Sequence, residues 1–478
     1  MKKNSIASNA VYLFFGNVLV RFLSAASTIL VARHLGTEDY GILSISLAFA
    51  SVAGYFTDLG LTNTLIREGT KENASIPVLM SSFFKVRIIF SILTIIISLV
   101  IVNILYDDQY IVYIHYLVLI PSIIGSALQL MGAAYYQLIE KMHFTALIRT
   151  IASLTTAAAL ILGMLFRWPL TYIAPVYGLA SVIAGLISFG IVIKHVNIFK
   201  GWDKGILEDI WSFTLTGLSI LLLPQIGPII IEKSSTLKEA GLFSAAYRIP
   251  SLAYQIPGVV AAAFYPVLFR MGNNKEFESH LNLSIKEMKI MSFLGVAMAI
   301  PFLFYSEWWI DFLFGEKWGR AALPLSLLSL QIILQSFNYP MADALTTTGK
   351  QKYRMSIQIS TLIIGAILYY VFSSHYGSTG GAIAALSSEF IMFVAFMIFH
   401  HNGIKLITHG SGKVVLSFAI IAGIYFILGN HIHPLVSSIL LDLIFVILLP
   451  LIDKELRSEI DKRILSKIRS KKQKEVME

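Results

Sequence analysis

Arg21 and Arg248 each stand inside a long apolar run, the first within Ala10–Ala32 and the second within residues 241–268. A lone cation at the middle of a bilayer costs roughly 2.5–3.5 kcal/mol on insertion alone. Such a charge is kept for an anion: a carboxylate of the same chain, or a phosphate brought by a ligand. Neither arginine is isolated from other polar groups. Asn17, Arg21, Ser24 and Thr28 recur at i, i+4, i+7 and i+11, so they share one helical face. Ser44, Ser51, Tyr55, Asp58 and Thr62 form a second stripe, and Ser244, Arg248, Ser251 and Gln255 a third. Hydrocarbon leaves polar groups unsatisfied, so a lipid-facing helix does not carry such a stripe. Three of them converging would line a wet cavity. Any one hydroxyl taken alone is read more simply as glue between helices.

Acids complicate that reading. Asp58, Asp343, Glu389 and Asp442 lie within or at the ends of apolar runs. At 1.5 Å per residue, Arg21 and Asp58 stand roughly 16 and 12 Å above the inner ends of their helices, close enough in depth to pair. If they do, Arg248 alone is left for an anion. Glu389, in mid-helix, is either a protonatable or cation-binding group or a neutral hydrogen-bonded carboxyl. Asp343, near an inner helix end, is expected to be wet, and Asp442 to be structural. Glu389 and Asp58 are the candidates for ion coupling.

Other chemistry finds no support. Ser411-Gly412-Lys413-Val414 lacks the hydroxyl residue after lysine and the upstream glycine of a phosphate-binding loop, and Gly349-Lys350-Gln351 fails in the same way. His431 and His433 have no nearby carboxylate or thiol to complete a zinc site. There is no cysteine, which excludes disulfides and thiol chemistry. No carboxylate pair or nucleophile-and-base arrangement stands out. No enzyme, no metal and no cofactor is expected.

The elements that hold these residues follow from composition. The 478 residues are 56% hydrophobic and 14% charged, with mean hydropathy +0.73, whereas about a quarter of a soluble domain is charged. A bilayer core needs about 20 apolar residues per helix. That criterion gives fourteen spans, near 10–32, 41–65, 78–102, 111–137, 144–166, 170–193, 209–231, 241–268, 288–305, 322–345, 355–374, 379–399, 414–430 and 435–452. The first apolar run is too long for a signal peptide and contains an arginine, so it reads as a retained helix. Pro224 and Pro228 in the seventh span, and Pro250, Pro257 and Pro266 in the eighth, predict bends.

With the N-terminus in the cytoplasm and the spans alternating, Lys and Arg gather on the inner side, Lys85 and Arg87 among them. Only Arg33, Arg167, Lys233, Lys238, Lys317 and Arg320 fall outside, while Arg21 and Arg248 lie within. The net charge of +9 is therefore mostly topology, with some attraction to anionic inner-leaflet lipid, and not a sign of nucleic acid. Both termini are expected in the cytoplasm.

The two halves echo each other at an offset of 200. Residues 38–51 read EDYGILSISLAFAS and 238–251 read KEAGLFSAAYRIPS, which aligns Gly41 with Gly241, Ser44 with Ser244 and Ser51 with Ser251. Six spans separate the two units, so the copies share an orientation, as in parallel repeats of alternating-access transporters. The expected architecture is an all-α polytopic membrane protein. About 14 transmembrane helices form two pseudo-symmetric six-helix lobes around a central cavity, plus two C-terminal helices. The boundaries are 1–200 for the N-lobe, 201–400 for the C-lobe, 401–452 for the peripheral spans and 453–478 for a basic cytoplasmic tail.

The segment Val31-Ala32-Arg33-His34-Leu35-Gly36-Thr37-Glu38-Asp39-Tyr40-Gly41, followed by Phe56-Thr57-Asp58-Leu59-Gly60-Leu61, resembles the polysaccharide-biosynthesis (oligosaccharide) flippases. That family includes O-antigen and teichuronic-acid exporters, is related to lipid II flippases, and belongs to the multidrug, oligosaccharidyl-lipid and polysaccharide exporter superfamily. The resemblance implies translocation of an undecaprenyl-pyrophosphate-linked oligosaccharide from the inner to the outer leaflet of a bacterial cytoplasmic membrane, for cell-envelope polysaccharide. Its partners would be that lipid-linked oligosaccharide, membrane lipids and other polysaccharide-assembly proteins. Arg21 and Arg248 would take the pyrophosphate, with Asn17, Ser24, Asp58, Ser251 and Gln255 beside them. Lipid II flippases are similar in carrying cavity arginines on the first and eighth spans. Their further basic residue on the second span is replaced here by Asp58. The rival readings are a cation-coupled multidrug exporter of the related branch, which the buried acids favour, and a membrane polymerase or ligase, which would need a long outer loop.

Overall fold

The computed structural model describes residues 20, 22–71, 74–194, 196–197, 201–208, 210–253, 255–428, 432–453 and 457. Every regular element among them is helical. In chain order these are α1 (Phe22–Leu35), α2 (Thr37–Phe56), α3 (Leu61–Gly69), α4 (Ile76–Leu105), α5 (Gln109–Leu138) and α6 (Met142–Leu165). Then come α7 (Leu170–Ile193), α8 (Ile210–Ser234), α9 (Leu237–Ala253), α10 (Gln255–Asn273), α11 (Phe277–Phe304) and α12 (Ser306–Phe314). The last are α13 (Ala322–Thr347), α14 (Gln351–Phe399), α15 (Gly403–Gly410), α16 (Gly412–Leu428) and α17 (Pro434–Ile452). A helix satisfies its backbone internally, which is why apolar runs of this length adopt it.

Nine spans among the described residues are long and apolar enough to cross a bilayer, and ten if α15 and α16, bent by 49°, form one. The polytopic all-helical fold expected from the sequence is present. Several expected spans are not simple rods. The second is broken between α2 and α3, where Leu59 and Gly60 take φ of 43° and 83°. The eighth comprises α9 and α10. The eleventh and twelfth are joined in α14 through Gly377, at φ 55° and ψ −130°. That conformation belongs almost solely to glycine, and a Cβ there would lie 2.5 Å from Glu239 Oε2.

The chain forms two compact units. One holds the chain up to Leu252, with Ile310–Leu325 and Gln358–Ser388. Its main seam joins α5 to α7 through Gly125, Gly132, Gly178 and Gly185. A Cβ at Gly185 would lie 2.8 Å from the Gly125 carbonyl oxygen, so only glycine permits the approach. Gln129 Nε2 donates to the Ser181 carbonyl at 3.2 Å and Ser188 Oγ to the Gln129 carbonyl at 3.0 Å. Leu61, Leu65, Met80, Phe83 and Ile206 are buried together, Ile206 coming from the connection between α7 and α8.

In the same unit α2 and α9 cross at the two glycines of the repeat. A Cβ at Gly41 would strike the Leu237 carbonyl oxygen, and one at Gly241 would strike the Thr37 carbonyl oxygen. Both pairs are related by the offset of 200, so the contact is reciprocal. Nearby, Glu239 binds Arg320 (2.6 Å) and accepts from Ser378 N (2.8 Å) and Oγ (2.7 Å), capping the second half of α14.

The other unit holds Ala253–Trp309, Ser326–Ile357 and the chain from Glu389 onward. Its hub is α11, against which α10, α15, α16 and α17 pack. Phe304 stacks on Tyr425 at 4.5 Å and Phe293 on Phe445 at 5.5 Å. Asp453, just past α17, receives Lys413 at 2.9 Å and Lys289 at 3.4 Å.

Candidate functional site

The break between α2 and α3 takes backbone out of the helical pattern, and several polar contacts hold it. Tyr55 OH donates to the Thr214 carbonyl (2.7 Å), and Thr214 Oγ1 donates to the Leu59 carbonyl (2.6 Å). Asp58 Oδ1 accepts from Thr62 Oγ1 (2.6 Å) and from Arg87 Nη1 (2.8 Å). Arg87 Nη2 reaches Thr57 Oγ1 at 3.3 Å, and its guanidinium lies 5.2 Å from the Phe83 ring centroid. Non-helical backbone deep in a membrane protein survives where the protein satisfies it, and broken helices of this kind recur at transporter sites.

Arg87 corrects the sequence reading. Its place near the start of the third span had counted it among inner flanking charges, yet its side chain is 1% exposed and faces Asp58. A residue eleven positions into a thirty-residue helix is a membrane residue. The contact also gives Asp58 a cationic partner other than Arg21. Arg21 and Asn17 lie outside the described residues, as does the side chain of Gln255. Ser24 is exposed on α1, and its carbonyl accepts from Thr28 at 2.7 Å and Ser27 at 3.1 Å.

Arg248, on α9, is half-buried. Its Nε is buried without a hydrogen-bond partner, and among the described residues no carboxylate pairs with it. Its charge acts on the Tyr177 hydroxyl of α7. One turn away Ser244 Oγ is also buried and unpartnered, whereas Ser251 Oγ donates back to the Arg248 carbonyl at 2.7 Å. The third polar stripe is therefore a half-buried guanidinium with donors to spare, which suits an anion.

Among the acids, Glu389 is 4% exposed and its Oε2 accepts from Asn338 Nδ2 at 2.7 Å, with Gln331 as a second side-chain partner. Asp343 was expected to be wet. It is 4% exposed instead, because Arg354 of α14 reaches it at 3.3 Å. Asp442 Oδ1 is buried without a partner among the described residues. His433 Nδ1 accepts from Leu435 N at 3.3 Å and caps α17, and His431 lies outside the described residues. No group of three metal-ligating side chains converges among the described residues.

Two titrating groups between spans are perturbed. Burial pushes the Tyr106 hydroxyl well above the ordinary phenol range, and the Glu232 carboxylate that it bonds at 3.1 Å pushes it further. Lys233 sits 3.5 Å from the Tyr106 ring centroid. Burial pushes His400 down to about 4, helped by the charges of Lys350, His280 and His401. Its Nδ1 accepts from Asn402 N at 3.2 Å, which requires that nitrogen to be unprotonated.

The comparisons with known proteins bear on the family and the fold. A family model described as polysaccharide biosynthesis protein matches residues 6–272. A candidate O-antigen transporter of Shigella flexneri is 25% identical over 402 residues, covering 80% of this chain and 94% of that protein. A solved lipid II flippase, MurJ in an inward closed conformation, is similar at TM-score 0.73 and 16% identity, over 93% of this chain and 99% of that one. An inward-facing multidrug resistance MATE family transporter of the MOP superfamily gives TM-score 0.68 at 16% identity, over 81% and 95%. At such identities the two structures bear on the fold alone.

Proposed function

Because the chain belongs to the polysaccharide biosynthesis protein family, we propose that it is a flippase for an undecaprenyl-pyrophosphate-linked oligosaccharide, moving it from the inner to the outer leaflet by alternating access. The pyrophosphate would bind Arg248 and Arg21, with Asn17, Ser24, Ser251 and Gln255 as polar neighbours and Asp58 held by Arg87 at the break. The lipid tail would stay in the bilayer while the head crosses. The observation that carries this reading is Arg248: a half-buried cation in an apolar helix, with an unpartnered Nε and no carboxylate among the described residues. Such a group is expensive unless an anion visits it.

The reciprocal contact of Gly41 and Gly241 supports two repeats, residues 1–200 and 201–400, with 401–452 peripheral and 453–478 a cytoplasmic tail. Both termini would face the cytoplasm of a bacterial cell, where other polysaccharide-assembly proteins would supply the substrate. Of the two ion-coupling candidates, Asp58 is ion-paired and Glu389 is held by amides, so a proton arriving at either must displace a partner.

The test is export of polysaccharide in cells lacking their own flippase. Arg248→Ala at normal protein level is expected to abolish complementation, with Arg248→Lys retaining part of it. Full export by Arg248→Ala would sink the site. The second reading, a cation-coupled multidrug exporter, draws on the fold shared with the MATE transporter and on the buried acids. It predicts drug efflux from cells expressing the protein, and an arginine in the binding face argues against cationic drugs.

A further inference from the structure

On α11, Glu287 is fully buried and neither carboxyl oxygen has a hydrogen-bond partner. One turn earlier Ser284 is equally buried, and its Oγ is likewise unpartnered. The charged group acting on Glu287 is another carboxyl, Asp343 of α13, whose own contact is Arg354 at 3.3 Å. The backbone around them is fixed by Thr347, whose Oγ1 donates to the Asp343 carbonyl (2.7 Å) and contacts His280 Nε2 (2.7 Å).

Other charges on the packed elements do not balance the pair. Lys286 on α11, Arg270 on α10, Lys352 on α14, and Lys405 and His409 on α15 are exposed. Lys289 and Lys413 are held by Asp453, and Lys350 and His280 act on His400. Two carboxylates against one guanidinium leave a net negative charge sealed from water, and an unpaired buried charge is strongly disfavoured. Carboxyls sharing a site relieve this by holding one proton between them. A metal ion fits less well, since no third ligating side chain joins them among the described residues.

We propose that Glu287 and Asp343 form a proton-binding site, with Ser284 hydrogen-bonding the protonated carboxyl, and that this proton is exchanged during the transport cycle. The proton is taken from water as an O–H bond forms on the carboxyl and is returned to water when α11 or α13 moves to admit it. The coupling to transport rests on the flippase reading; the proton site itself does not.

Infrared difference spectra of the purified full-length protein in lipid nanodiscs, taken across a pH titration without substrate, test the site. A protonated-carboxyl stretch is expected at neutral pH, shifting in heavy water, lost in Glu287→Gln and displaced in pH midpoint in Asp343→Asn. If Glu287→Gln does not accumulate, Glu287→Asp is read instead and is expected to move the band. A band that survives unchanged in these variants, or is absent from the wild-type protein, overturns the proposal. So does loss of the band on adding sodium chloride at fixed pH, which would assign the site to a metal cation. In proteoliposomes carrying a lipid-linked oligosaccharide, Glu287→Gln is expected to lose the response of flipping to an imposed pH gradient; an unchanged response overturns the coupling. Wild-type protein that shows the band but moves no substrate would refute the flippase reading and leave the proton site standing.

Discussion

Arg87 of α4 donates to Asp58 at 2.8 Å across the gap between α2 and α3, so a helix break and a buried cation stabilise each other. Removing either partner leaves the other bare. Because Arg87 is 1% exposed, a buried uncompensated charge follows from Asp58→Ala. The expected loss is about 3–5 kcal/mol. Replacing both residues with leucine should restore much of it. Thermal unfolding in detergent measures the effect, and a melting temperature unmoved by Asp58→Ala would refute the ion pair as a support of the break.

The crossing of α2 and α9 makes a symmetric prediction. Gly41→Val and Gly241→Val meet equivalent carbonyls, of Leu237 and Thr37, and should destabilise by similar amounts. Each is expected to cost about 1–3 kcal/mol or more, since backbone cannot yield as a side chain can. Detergent thermal shifts of the two variants, side by side, check this. A large loss in one and none in the other would argue against a shared two-fold contact.

For Arg248 the expectation is quantitative. A charge-assisted hydrogen bond is worth about 1.5–3 kcal/mol, so Arg248→Ala should weaken binding of a lipid pyrophosphate by about tenfold or more. Arg248→Lys keeps the charge but loses the planar fork and should fall between. Binding of the lipid pyrophosphate to purified protein, compared with an uncharged lipid of equal tail length, reads the difference.

His400 sets a pH dependence of stability. Its ordinary value of 6.5 falls to about 4 in the folded chain, so the unfolded state binds more protons between those limits. Stability is then full above pH 6.5 and is lost as the pH falls towards 4, at up to about 1.4 kcal/mol per unit. His400→Gln should flatten that part of the profile in thermal unfolding measured against pH. An unaltered slope would show that other groups carry it.

Much of the fold is legible in the sequence because a bilayer imposes one rule, about twenty apolar residues per crossing. The Gly41 and Gly241 match in the sequence corresponds to a physical contact in the structure. What stayed hidden is pairing across helices. Hydropathy alone treats Arg87 and Glu287 as flank residues, since each lies near the start of an apolar run beside lysines, and nothing local shows that one pairs with Asp58 and the other is buried where the Asp343 charge acts on it. The break at Thr57–Gly60 did carry a signal, an Asp-Leu-Gly triplet within a helical pattern. Overall hydrophobicity outweighed it. Gly377 likewise joins two helices without a loop, because glycine alone takes its backbone angles.

Bare backbone meets bare backbone where Gly125 and Gly185 bring α5 and α7 together. Interlocked side chains can trade places as helices slide, but the two glycines have none to trade. In the alternating-access reading the two helices would move as one plank, and flexing would fall on the joints at Thr57–Gly60 and Gly377 instead. A methyl group added to the plank would split it, while one added to a joint would stiffen it, so the two faults should be told apart by shape rather than by strength.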